Sequence, residues 1–335
     1  MRESTGGARR SAFADGNLTR FARACALGIG LLLATLQTAR ADGYPDGPIK
    51  LMVGFPPGGG GDTYARIVAT ALAKQLNAPI VVENRPGAGG DIAADVVAHA
   101  KPDGQTLLLA MSGNFSVAPV VHPELRYKVP GSFVPISMVV ETPFGLMVNA
   151  KSKYQSIQQF IEAAKGGKLT YASTGTGGAA QSTMEIFKSK AHLSVLNIPY
   201  SGSGPATTAL LGGQVDSFFA PYTPLAGQLN SDGMRLLATT GAKRNPAYPD
   251  VPTFKELGYD VNPTQWYGVA APAGTPPDVI AKINQGIQAI LKEPDVVKQL
   301  TMNGAVLNNL SGDAFTKFVE SDIADYRSVL KPSNN

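Results

Sequence analysis

Cysteine is nearly missing from this 335-residue chain. Cys25 stands alone, so no disulfide can close within the chain and no thiolate metal cluster can form. Histidine is almost as scarce: His99, His122 and His192 lie far apart without ligand spacing, and each suits a surface or helix-end position better than a metal. Beyond residue 41 nothing approaches the run of about 20 apolar residues that a membrane-spanning helix needs. The usual catalytic patterns are missing as well. Ser201-Gly202-Ser203-Gly204-Pro205 is one residue out of phase with a Gly-x-Ser-x-Gly nucleophile elbow, and no Ser/His/Asp order stands out. The glycine-rich stretch from Pro56 to Asp62 has neither the Gly-Lys-Ser/Thr of a nucleotide P-loop nor Gly-x-Gly-x-x-Gly phasing.

What the chain does have begins with a leader. Arg9, Arg10, Arg20 and Arg23 precede an uncharged run over 24–36, and Ala39-Arg40-Ala41 supplies a small-x-small site. That is the layout of a secretory signal peptide over 1–41, cleaved after Ala41. A retained anchor is the alternative, but the run is short for a bilayer. Of the 29 Lys and Arg and 25 Asp and Glu, six Arg and two acids lie in 1–41, leaving 23 of each. The basic pI therefore belongs to the leader. The exported protein is expected to be neutral and monomeric in the periplasm, with no basic stripe for nucleic acid. Cys25 would leave with the leader.

The remaining residues suit two lobes. Strands at 49–55, 80–83 and 106–111 alternate with helices at 63–76 and 92–100, the rhythm of a parallel, doubly wound α/β sheet. Extended runs at 134–140 and 144–148 flank Glu141-Thr142-Pro143 and carry the chain into a second lobe. There helices at 156–165, 179–190 and 204–211 alternate with strands at 170–173, 195–198, 215–219 and 235–239. A strand at 265–270 returns to the first lobe, which helices at 277–291, 294–302 and 313–330 complete. The expected division is 42–142 plus 266–335 for lobe 1 and 143–265 for lobe 2, joined by a double hinge around a cleft.

Glycine-rich loops recur where apolar strands meet helices. Pro56-Pro57-Gly58-Gly59-Gly60-Gly61-Asp62 follows the first strand, and Arg85-Pro86-Gly87-Ala88-Gly89-Gly90-Asp91 follows the second. Ser173-Thr174-Gly175-Thr176-Gly177-Gly178 and Pro199-Tyr200-Ser201-Gly202-Ser203-Gly204-Pro205 occupy equivalent places in the second lobe. Ligands bind at such strand ends in open α/β sheets, because unpaired backbone N–H groups and the helix dipole point there. Each loop alone is as compatible with a tight turn as with ligand contact. Together they describe an anion grip from two sides, without charged side chains. Asp62 is expected as a helix N-cap. Arg85 is either a clamp for a second carboxylate or, more in keeping with its Asn-Arg-Pro-Gly turn, a structural partner of a nearby acid. Trp266 is read as a hinge-packing aromatic ahead of a ligand-stacking one.

These loops also carry a family resemblance. Phe55-Pro56-Pro57-Gly58-Gly59 with Asp62, Glu83-Asn84-Arg85-Pro86-Gly87-Ala88-Gly89-Gly90, Tyr200-Ser201-Gly202-Ser203-Gly204-Pro205-Ala206 and Leu211-Gly212-Gly213-Gln214-Val215-Asp216 resemble motifs of the Bug family. Pro252-Thr253-Phe254, Glu256-Leu257-Gly258-Tyr259 and Ala271-Pro272-Ala273-Gly274-Thr275-Pro276 continue the match in order. Bug proteins are periplasmic receptors of tripartite tricarboxylate transporters. The resemblance implies a two-lobed type II periplasmic-binding fold, a Venus flytrap of two doubly wound sheets, closing on a small carboxylate or amino acid. It implies integral membrane transporter subunits as partners; no cofactor is expected, and the missing catalytic and metal-ligand patterns argue against an enzyme. Carried over by position, the ligand shell would comprise Pro57, Gly58, Gly59, Gly60, Asp62, Thr63, Gly87, Ala88, Gly89, Ser112 and Asn114 from lobe 1, and Thr174, Thr176, Gly177, Gln181, Tyr200 and Tyr222 from lobe 2. The chain departs from the pattern at Gly61, where Ser or Thr is frequent, at Gln181-Ser182, where His is common, and at Ala220-Pro221-Tyr222, which replaces a frequent Asp. With no clear distal cation, a monocarboxylate, amino acid or neutral-tailed acid is favoured over citrate. A sensor built on the same fold and, more remotely, a hydrolase are the rival readings.

Overall fold

Apolar strands of five or six residues, each followed by a helix with one apolar face, build the first lobe. The computed structural model describes residues 43–330 apart from Asp232; the expected leader and Cys25 lie outside the described residues. In chain order the elements are β1 (Ile49–Val53), α1 (Gly60–Leu76), β2 (Ile80–Asn84), α2 (Asp91–Ala98), β3 (Thr106–Met111), α3 (Ala118–Val121), β4 (Phe133–Asn149), α4 (Ile157–Ala164) and β5 (Leu169–Ser173). There follow α5 (Ala179–Ala191), β6 (Val195–Pro199), α6 (Ser203–Leu211), β7 (Ser217–Pro221), α7 (Ala226–Asn230), β8 (Met234–Thr239) and β9 (Thr264–Pro272). The chain closes with α8 (Pro277–Ile290), α9 (Pro294–Leu300), β10 (Val306–Leu307) and α10 (Gly312–Val329).

The first lobe's sheet has β1 between β2 and β3, all parallel, with Leu51 opposite Val82 and Leu107. β9 then pairs antiparallel with β3 on one side and β4 on the other. In the second lobe β5 lies between β6 and β7, parallel to both, and β7 and β8 run antiparallel to β4. The sheets are therefore parallel where strands alternate with helices, as the rhythm predicts, and antiparallel where the chain crosses between lobes. A chain that leaves one lobe and later returns runs in opposite directions at its two crossings.

The crossing itself differs from expectation. The two runs separated by Glu141-Thr142-Pro143 are one continuous strand of 17 residues. Pro143, which has no N–H to give, sits where β4 exchanges β9 for β7 and β8 as partners. Glu141 is fixed there by the Asn308 side-chain amide at 2.6 Å. Trp266 of β9 is fully buried, packs edge-on against Phe115 and Phe315, and donates from its indole N–H to Asp322 at 2.8 Å. All three histidines cap helix ends: His99 after α2, His122 after α3 and His192 after α5. No described helix is long and apolar enough to cross a membrane.

Candidate functional site

The first glycine loop is organised by a buried carboxylate. Asp62, 3% exposed, accepts from the Gly58 N–H and from Arg66 Nε, both at 2.9 Å, and from the Asn84 amide at 3.0 Å. The N-cap is Gly59, and Asp62 is the third helical residue, which corrects the N-cap expectation. Its carboxylate reaches back over the turn, much as the acid of a capping box does. Burial raises its pKa, but the donors from Arg66, Gly58 and Asn84 together outweigh this and hold it below the usual range. Gly58 has φ +80°, a conformation that favours glycine. With Asp62 occupied by Gly58, the first-turn N–H groups of Gly60 and Gly61 remain without intrahelical acceptors.

The second loop folds under the first. Gly87, Ala88, Gly89 and Gly90 all have positive φ, and a side chain at Gly54 would collide with the Gly90 backbone. Arg85 is bound to Glu83 through Nε at 3.0 Å and Nη2 at 2.5 Å, so it takes the structural role. Asp91, the first residue of α2, is held by the Tyr127 hydroxyl at 2.9 Å and by His122 Nδ1 at 2.8 Å. The Asp91 hydrogen bond raises the His122 pKa against the opposing effect of burial.

Loops of the second lobe rest directly on these turns. Gly175 and Gly178 pack against Gly89, the His122 ring packs on Gly177, and Pro56 packs on Gly202. Tyr64 and Thr223 hydroxyls meet across the seam at 3.2 Å. The space between encloses about 30 Å³. The first lobe lines it with Phe55, Gly59, Gly60, Gly61 and Met111, the second with Thr174, Ser203 and Pro221, and β9 with Gln265 and Tyr267. No Asp, Glu, Lys, Arg or His is among them. The amino ends of α1 and α6, one from each lobe, face this same cavity. Their unpaired N–H groups and dipoles favour an anion. Among the described residues no group of three or more His, Cys, Asp or Glu is placed to hold a metal.

The expected ligand shell divides into groups. Gly59, Gly60 and Thr174 line the cavity. Pro57, Gly58 and Thr63 are exposed, and the Thr63 hydroxyl donates to Gly59 O at 3.1 Å. Asp62 stands behind the loop that it braces. Gly87, Ala88 and Gly89 form the loop at the seam. Ser112 and Asn114 are fully buried behind Met111; Asn114 Oδ1 accepts from the Met111 N–H at 2.9 Å, while Ser112 Oγ and Asn114 Nδ2 have no partner among the described residues. Thr176, Gly177 and Gln181 line a separate groove of about 310 Å³ beside His122, where Gln181 Oε1 accepts from the Gly177 N–H. Tyr200 is half-buried against the second lobe's core. Tyr222 does not line the cavity: its hydroxyl is bound by Asn245 Nδ2 at 2.8 Å, and its ring packs on Tyr248.

Gly61, within the Gly58–Asp62 loop expected in the shell, lines the cavity, whereas sequence reasoning left out Phe55, Met111, Ser203, Pro221, Gln265 and Tyr267, which line it too. The period-two alternation of β9 carried a signal: with Trp266 facing the core, Gln265 and Tyr267 must face the other way. Two of the departures from the family pattern, Gly61 and Pro221, fall on the cavity wall. Both present no polar side chain to it.

Comparison with known proteins places this geometry among receptors. The family model described as the tripartite tricarboxylate transporter family receptor matches residues 64–334. Protein BugT of Bordetella pertussis is 35% identical over 310 residues, covering 90% of this chain and 95% of the relative. The solved structure of the periplasmic binding protein BugD is 33% identical with a TM-score of 0.81, covering 85% of this chain and 97% of that one. MatC from Rhodopseudomonas palustris, solved with bound malate, is 30% identical with a TM-score of 0.81, covering 85% of this chain and 99% of that one.

Proposed function

Because the chain belongs to the tripartite tricarboxylate transporter receptor family, we propose that it is a periplasmic receptor that captures a small carboxylate between its lobes and presents it to membrane transporter subunits. The observation that carries this reading is the pair of helix amino ends, one from each lobe, facing a single cavity without charged side chains. A carboxylate there accepts backbone N–H groups from both lobes at once. It binds the closed arrangement better than an open one, and that differential affinity drives closure. MatC, solved with malate, supports a carboxylate as the ligand class.

In this reading residues 1–41 direct export and are removed, 42–142 with 266–335 form one lobe, and 143–265 form the other. The protein works as a monomer and as a receptor, in keeping with the receptor family to which it belongs. Small-angle scattering and Trp266 fluorescence during titration with malate and a library of other carboxylates test it. The expected result is compaction with a spectral change for at least one member. A protein that responds to none is not a carboxylate receptor.

A further inference from the structure

We infer that the cavity selects a carboxylate whose remainder carries no charge, discriminating against a second carboxylate and against an ammonium group; this rests on the carboxylate-receptor reading above. The two helix ends supply the only counter-charge on the cavity wall. They converge on one cavity. Converging there, they address one carboxylate together. Neither is left over for a second anionic group.

The charged side chains on the adjoining loops are already committed. Asp62 is 3% exposed, stands off the cavity wall and already accepts from Gly58, Asn84 and Arg66, so it is not presented to an ammonium in the cavity. Arg66 is bound to that carboxylate, and Arg85 to Glu83. The rest of the wall is apolar or neutral: Phe55, Met111 and Pro221, with Tyr267 opposite Gly60. Burial pushes the Tyr267 pKa well above its usual value, so the phenol stays protonated and uncharged. A charge brought into such a wall loses its water without gaining a partner.

Calorimetric titration of the purified protein at pH 7.5 with pairs differing by one charged group tests the inference. The pairs are acetate and malonate, propionate and succinate, butyrate and glutarate, and benzoate and phthalate, with alanine beside propionate. The expected result is that the tightest monocarboxylate binds at least tenfold better than its diacid, and that propionate binds better than alanine. A diacid or alanine that equals or exceeds its monocarboxylate overturns the inference and leaves the carboxylate-receptor reading standing. Failure of every compound in this panel overturns the inference, and failure of malate and the wider carboxylate library as well overturns both.

Discussion

His122 and Gly177 meet across the seam between the lobes, and their fit depends on the absence of one carbon atom. Gly177 has φ +71°, and a Cβ there would run into the imidazole Nε2. Gly177→Ala therefore costs about 1–3 kcal/mol through overpacking, in addition to backbone strain. His122→Ala in the same background should restore part of the loss, because it removes the clash and leaves the strain. A double-mutant cycle in thermal stability checks this; equal losses with and without His122 would mean that strain alone acts.

His122 also makes stability depend on pH. Its folded pKa is raised by the Asp91 hydrogen bond, so the stabilisation is full below the unfolded value of about 6.5 and is lost as pH rises through the folded pKa. Asp91→Asn should flatten that step in melting temperature measured from pH 5 to 9. Asp62 acts in the opposite sense. With its pKa lowered, its contribution is present above the unfolded value of about 3.9 and fades as pH falls through the folded pKa. Asp62→Ala strands the Gly58 and Asn84 donors and should cost about 1–3 kcal/mol in urea unfolding at pH 7.

Among the elements, helix starts were legible unevenly. Ser156 precedes α4 as an N-cap should, and its hydroxyl accepts from the Gln159 N–H at 3.3 Å; Ser156→Ala should lower stability by about 1 kcal/mol, read as a shifted urea midpoint. Asp62 carries the same local signal yet sits three residues inside its helix. The difference lies in Asn84 and Arg66, whose donors reach Asp62 from the next strand and the next turn. Period-two and helical patterns located most strands and helices, because burial imposes them residue by residue. The buried π-helical segment Gly113–Val117 leaves no such signal in the sequence, having no period to betray it. Pro143 suggests a break in β4 but makes none, for a related reason: a proline ends a strand only if its missing donor is needed.

For the whole molecule, the glycine loops announced a grip, but the cavity wall between them was only partly visible. Pro221, Tyr267 and Ser203 reach it from three separate places in the chain, and no local window joins them. The seam offers a direct measure of the proposed closure. Tyr64→Phe removes one hydroxyl contact, the 3.2 Å bridge to Thr223, and should weaken affinity for whichever carboxylate binds by about 0.5–1.5 kcal/mol. An unchanged dissociation constant would place that bridge outside the closing step.

β4 has a consequence for any attempt at dissection. Its first eleven residues are laddered to β9 and its last six to β7 and β8, so one unbroken backbone belongs to two sheets. Excising either lobe as a fragment would cut β4 and bare unpaired edges that invite aggregation. The chain should instead melt in a single calorimetric transition, with van't Hoff and calorimetric enthalpies in agreement, despite having two lobes.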